Sequence, residues 1–205
     1  MKFNINKEVA KLLKKPFELQ AKMEKLIDPQ KLTTPPEITQ AIQAFCTKLN
    51  PDISPFFIEI SPEPWCRQSC CDMNVNEYIK ANGGEIICGY KIWYNDEPIY
   101  LEAERHAIWS DGKNNRDLTF NSDGEEKILF IPDVQGKTKN LEDNEPRIRW
   151  APHNKIRAII RAFETIESQM PIERMSNEES WKTMPTFEEW QKGKRMPSMF
   201  LKNIG

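Results

Sequence analysis

Two long runs rich in apolar, β-branched and aromatic residues, 85–94 and 99–109, are separated only by Asn95-Asp96-Glu97-Pro98. Each run has the composition of a strand and the spacer that of a turn, so the two are expected to lie antiparallel. What precedes them constrains the fold further. Residues 69–82 carry Cys71, Val75, Tyr78 and Ile79 at i, i+4, i+7 and i+8, one face of a helix. Gly83-Gly84 then supplies a left-handed stop. Two shorter β segments follow, 116–120 after the Asp111-Gly112 turn and 127–131 after Asn121-Ser122-Asp123-Gly124. The pattern predicts an α+β fold, with a cysteine-bearing helix packed on an antiparallel meander.

The flanks read as helical. Residues 1–30 repeat apolar positions at helical spacing, and Pro16 splits them. Thr34-Pro35-Pro36-Glu37 has the form of a capping box, which predicts a helix over 35–49 with Ile38, Ile42, Phe45 and Leu49 as its stripe. Cys46 beside that stripe reads as a small buried hydrophobe. Residues 56–60 read as a strand, and 62–68 as an irregular approach to the cysteine-bearing helix. Beyond a polar loop at 134–146, Asn154 caps a helix with Ile156, Ile159, Ile160, Phe163 and Ile166 on one face. Its Lys155, Arg157 and Arg161 read as a solvated face. Thr186-Phe187-Glu188-Glu189-Trp190 opens a short helix. Met196, Met199, Phe200 and Leu201 form a tail expected to dock on the core or on a partner. The expected organisation is a helical extension over 1–50, an α+β core over 51–150, and a helical extension over 151–205 packing on that core.

Bulk properties remove several function classes. A net charge of −2 gives no basic face for phosphate neutralisation, so nucleic acid is not an expected partner. The cluster from Lys192 to Arg195 reads as solvated surface. No apolar run approaches the ~20 residues that cross a bilayer, and residues 1–15 have no signal-peptide core. Five cysteines, an odd number with two adjacent, argue against a disulfide framework. A reducing compartment is therefore expected: the cytoplasm, or a host cytosol for a delivered effector.

The chemistry centres on one thiol. Cys71 shares the apolar helix face and should point at the sheet, whereas Cys70, Asn74 and Glu77 fall on the other side. A sulfur in the first helical turn faces the positive dipole end and unpaired N–H groups, which favour the thiolate that does nucleophilic work. His106 lies in the second long strand, while His153 lies far from it in sequence. A turn near Gly112 places His106 opposite Thr119, with Asp117 diagonal on the same face. Cys71 as nucleophile, His106 as proton shuttle and Asp117 as orienting carboxylate then make a triad. The backbone N–H of Cys71 and the Gln68 side chain are candidate oxyanion donors. Trp65, Trp109 and Thr119 are candidate substrate contacts, with core packing the competing role for the tryptophans, Trp93 included. Glu102 and Glu104 share the His106 face if alternation holds, as a cation site, an influence on the imidazole, or a solvated edge. The alternative chemistry is a zinc site from Cys66, Cys70, Cys71 and His106, although the spacing lacks the Cys-x-x-Cys signal.

In order, Cys71, the helix ending in Gly83-Gly84, Gly89-Tyr90, His106-Ala107-Ile108-Trp109 and Asp117-Leu118-Thr119 resemble the transglutaminase-like branch of the papain-like superfold. There a helix-borne cysteine precedes a Gly-Tyr strand, a His-Ala-Trp strand and an Asp-Pro-Thr strand. One residue is inserted before Trp109, and Leu118 replaces the usual proline. The resemblance implies acyl transfer through a thioester, with no cofactor and a protein or peptide-like amide as substrate. The reaction is peptide or isopeptide hydrolysis, deamidation or transglutamination. A non-catalytic protein-binding module on the same scaffold is the other expectation, because residues 181–200 are aromatic and apolar.

Overall fold

The computed structural model describes residues 5–26, 28, 31–121, 124–134, 147–169 and 175–195. Most of the polar stretch at 134–146, and the tail with Met196, Met199, Phe200 and Leu201, lie outside the described residues. The helices are α1 (Ile5–Leu13), α2 (Pro16–Glu24), α3 (Gln40–Leu49), α4 (Cys71–Asn82), α5 (Asn154–Glu167), α6 (Asn177–Thr183) and α7 (Phe187–Gln191). The strands are β1 (Phe56–Glu59), β2 (Glu85–Asp96), β3 (Ile99–Ser110), β4 (Asn115–Arg116), β5 (Lys127–Pro132) and β6 (Ile148–Trp150). They form one six-stranded sheet in the order β1-β5-β2-β3-β4, with β6 also on β3.

The β2–β3 hairpin is the spine. It is longer than the sequence suggests, because Asn95 and Asp96 stay in the ladder and pair with Tyr100 and Ile99. The expected meander breaks after it. β5 does not extend the sheet beyond β4; it returns to the far side of the hairpin and pairs with both β2 and β1. Ile128, Leu129, Phe130 and Ile131 are buried in succession, so both faces of this strand are covered. A strand without polar alternation belongs in a sheet interior, between two partners. The expected strand at 116–120 is reduced to Asn115–Arg116. The Asp117 carboxylate instead accepts the Thr119 N–H at 2.9 Å, a local bond that competes with the ladder. β6 is an element the periodicity missed, since three residues are too few to show alternation.

The helix expected at 35 starts five residues later, with Thr39 as its cap accepting the Ile42 N–H. Pro35 precedes a second proline and is barred from the helical region, so Thr34-Pro35-Pro36-Glu37 is not a capping box. The Thr34 N–H goes to the Glu125 carboxylate instead.

Alternation along the hairpin sorts the two faces. Ile92, Leu101, Ala103, Leu129 and Ile131 meet Ile42, Phe45 and Cys46 of α3. Tyr100 and Trp93 meet Met23, Leu26 and Ile160 from the helices on the other side. α1 packs on α5, so the N- and C-terminal flanks share a helical layer. α4 lies against the opposite end of the hairpin, where Val75, Tyr78 and Ile79 contact Ile86, Trp109 and Leu118.

Glu102 shares the His106 face along the unbroken ladder, but it is not a solvated edge. It is fully buried, bonded to Arg147 at 2.5 Å, and receives Tyr100 Oη–H at 2.5 Å. Glu104 takes Arg147 at 2.7 Å and the Trp93 indole N–H at 2.6 Å. Both carboxylates belong to an ion network joining β3 to β6.

Candidate active site

Ser69, a residue type that commonly caps helices, does not cap α4: it adopts a left-handed conformation, φ 58°, and Cys70 takes the cap position. This sharp entry makes Cys71 the first helical residue. Cys70 is turned inward and 1 % exposed, whereas Cys71 is half-buried. The helical face expected to be polar is therefore covered at this end: Asn74 is fully buried too, and only Glu77 of that set is exposed.

Burial separates the thiols chemically. Desolvation pushes Cys46, Cys66 and Cys70 up to about 12 and raises Cys88 as well, so these sulfurs stay protonated at neutral pH. Cys66 accepts the Glu63 N–H on its sulfur at 3.3 Å. The alternative zinc set of Cys66, Cys70, Cys71 and His106 is not gathered, and no metal-holding cluster occurs among the described residues.

His106 sits on β3 opposite Gly89 of β2, 7 % exposed. The Gly89 position explains how the ring is held. A Cβ there would lie 2.6 Å from Phe130 Cζ and 2.3 Å from the Ile131 carbonyl oxygen. Without it, the Phe130 ring crosses the strand and meets the imidazole edge-on, with centroids 6.4 Å apart. The β3–β4 ladder pairs Trp109 with Arg116, the register that brings Asp117 diagonally toward His106. Asp117 is fully buried, and its Oδ2 lies 3.0 Å from His106 Nε2. At that distance the two groups form a charge pair when the ring is protonated. The other oxygen, Oδ1, is fixed by the Thr119 N–H.

Burial by itself would lower the His106 pKa. The Asp117 charge, a thiolate at Cys71, and hydrogen bonding to both outweigh it and raise the imidazole to about 10. The structure thus brings Asp117 and Cys71 to the same imidazole.

The remaining candidates divide. Gln68 lies in the approach loop, 8 % exposed, with its Oε1 sealed from solvent and unpaired. Trp65 is 37 % exposed on the same loop. Thr119 is buried and gives its N–H to Asp117. Trp109 is placed at the far end of α4, about 18 Å along the helix from Cys71. Its ring packs edge-on against Tyr78 and its indole N–H goes to the Gly83 carbonyl.

A feature the sequence reading missed is a strap from the C-terminal region. The Phe187 N–H bonds the Cys66 carbonyl at 2.8 Å, the Glu188 N–H bonds the Pro64 carbonyl, and the Gln68 N–H bonds the Pro185 carbonyl. Arg67 donates to the Met184 carbonyl and stacks on Trp181. Phe187 and Trp190 pack on Phe120. The only sequence signal was the Thr186/Glu189 capping box, which marks the helix but not its target.

No helix among the described residues is long and apolar enough to cross a membrane. No family model, curated protein or solved structure matches this chain.

Proposed function

We propose that this protein is a cysteine-dependent acyl-transfer hydrolase, related in chemistry to the transglutaminase-like enzymes its motifs resemble. The observation that carries the reading is the buried Asp117–His106 pair engaged with the one thiol that starts a helix and is not fully buried. The Cys71 thiolate attacks an amide carbonyl carbon, and the carbonyl oxygen takes the negative charge in a tetrahedral intermediate. First-turn N–H groups of α4 and the Gln68 carboxamide are the nearby donors for that oxygen. His106 gives its proton to the departing nitrogen as the C–N bond breaks, which leaves a thioester on Cys71. Neutral His106 then takes a proton from water or an amine as it attacks the thioester, and the thiolate is released. Asp117 orients the ring and balances its charge throughout. No cofactor enters these steps, and a reducing cytosol suits a catalytic thiol. The aromatic stretch that favoured a binding module in sequence gives that reading less support now, because Trp181, Phe187 and Trp190 are spent on internal contacts.

The test is iodoacetamide labelling across pH with peptide mapping, alongside turnover of peptide and glutamine amides. The expected result at pH 6 is one adduct, on Cys71, with Cys46, Cys66 and Cys70 untouched. Cys71→Ala should abolish turnover. A Cys71 that labels only as an ordinary thiol, near its usual ~8.5, sinks the proposal. So does full activity in Cys71→Ala.

A further inference from the structure

Asn74 lies one turn beyond Cys71 on α4 and is fully buried. Its Oδ1 accepts the Arg67 N–H at 2.7 Å, and its Nδ2 donates to the Arg67 carbonyl at 2.8 Å. The same Nδ2 donates to Thr119 Oγ1 at 3.2 Å, with the Leu118 carbonyl at 3.5 Å. Arg67 belongs to the loop that carries Gln68 into α4. Thr119 is the residue whose N–H fixes the Asp117 carboxylate. One carboxamide therefore clamps three segments: the helix with Cys71, the loop with Gln68, and the stretch with Asp117.

Packing alone does not call for asparagine here. It is a weak helix former, and its polar atoms are costly to bury unless each is paired. All of them are paired, and to backbone on two different segments. The two-sided grip on Arg67 fixes the orientation of the loop as well as its distance, as a strand partner would. The bond to Thr119 sets the height of the helix start against the segment that holds His106 through Asp117.

We propose that Asn74 is the positioning residue of this site: it touches no reacting atom, and it sets the separation and direction between Cys71 and the His106–Asp117 pair. The proposal rests on the acyl-transfer reading of those three residues. Its readouts are chosen to stand apart from turnover.

The experiment compares wild type with Asn74→Ala and Thr119→Val. It follows Cys71 labelling against pH, the His106 ring titration by NMR, and thermal melting by circular dichroism. Asn74→Ala is expected to move the Cys71 profile to higher pH, with labelling at pH 6 about tenfold slower because the thiolate fraction there is about tenfold smaller. The His106 titration should fall toward its ordinary range. Thr119→Val keeps the shape and removes one acceptor, so a smaller shift in the same direction is expected. If both variants melt earlier yet keep the wild-type labelling profile and His106 titration, the clamp is structural only and the proposal is overturned. If Asn74→Ala does not fold, Thr119→Val decides by the same criterion. A wild-type His106 that titrates as a free histidine overturns it too, since no engaged pair exists to position. Turnover surviving in Cys71→Ala would remove the acyl-transfer reading alone; a His106 shift in the Asn74 variant would still establish the positioning.

Discussion

Asp117 is a fully buried carboxylate facing a nearly buried imidazole, and at the residue scale this coupling has a signed consequence. His106 is raised to about 10 in the folded protein, whereas an unfolded chain returns it to about 6.5. The folded state therefore holds a proton on this ring that the unfolded chain gives up. The stability this contributes is fully present below about pH 6.5 and is lost as pH rises through about 10. Other groups also titrate in that range, so the informative quantity is a difference. The urea midpoint should fall more between pH 6 and pH 10.5 in wild type than in His106→Gln. Equal falls in the two proteins would mean the ring carries no extra proton in the native state.

At the scale of elements, the site end of the sheet is completed by the strap at residues 184–190. The approach loop at 62–70 has little regular structure of its own, and its carbonyls at Pro64 and Cys66 are taken by the strap. Phe187→Ala removes the stacking partner of Trp190 and the contact with Phe120. Amide exchange at Gln68 and Phe187 should then accelerate at least tenfold, about 1.4 kcal/mol of local protection, while the amides of β2 and β3 stay slow. Uniform acceleration across the sheet would instead make the strap part of the global fold. The strap also shows where legibility in the sequence stopped. Local signals read well: the α4 periodicity and its glycine stop, the hairpin, and the Gly112 turn whose register aims Asp117 at His106. These depend on neighbours a few residues apart. The return of β5 beside β2, the pairing of β6, and the contact of Thr186 with Arg67 join segments far apart in sequence. Their local patterns are short, and nothing in them names a partner. Asn74 was misassigned for a related reason, because a helical wheel separates polar from apolar but cannot see that a loop covers the polar side.

Across the whole molecule, one hairpin spans two different tasks. One end of β3 carries His106, and the other is fastened to the helical layer by charge. Arg149 is bonded to Glu102 at 3.4 Å and to Glu167 of α5 at 2.6 Å, and Arg147 bridges Glu102 and Glu104. Glu102 is 1 % and Arg149 8 % exposed in side-chain terms, so this part of the network is desolvated and only weakly screened by salt. Removing one charge from such a group leaves its partner buried and uncompensated, which costs about 3 kcal/mol or more. Glu102→Gln keeps the volume and one hydrogen bond to Tyr100 but strips the anion that Arg149 and Arg147 share. Its urea midpoint should drop by the equivalent of about 3 kcal/mol, and the drop should persist in 1 M salt, where a surface pair would be silenced. The site lies four residues further along the same strand, and its fixed contacts come from α4, Phe130 and the Thr119 segment, not from this network. The Cys71 labelling profile of folded Glu102→Gln should therefore match wild type. A shifted profile would mean that strain at the helical end travels along β3 into the imidazole, and that the two ends of the hairpin are one cooperative unit.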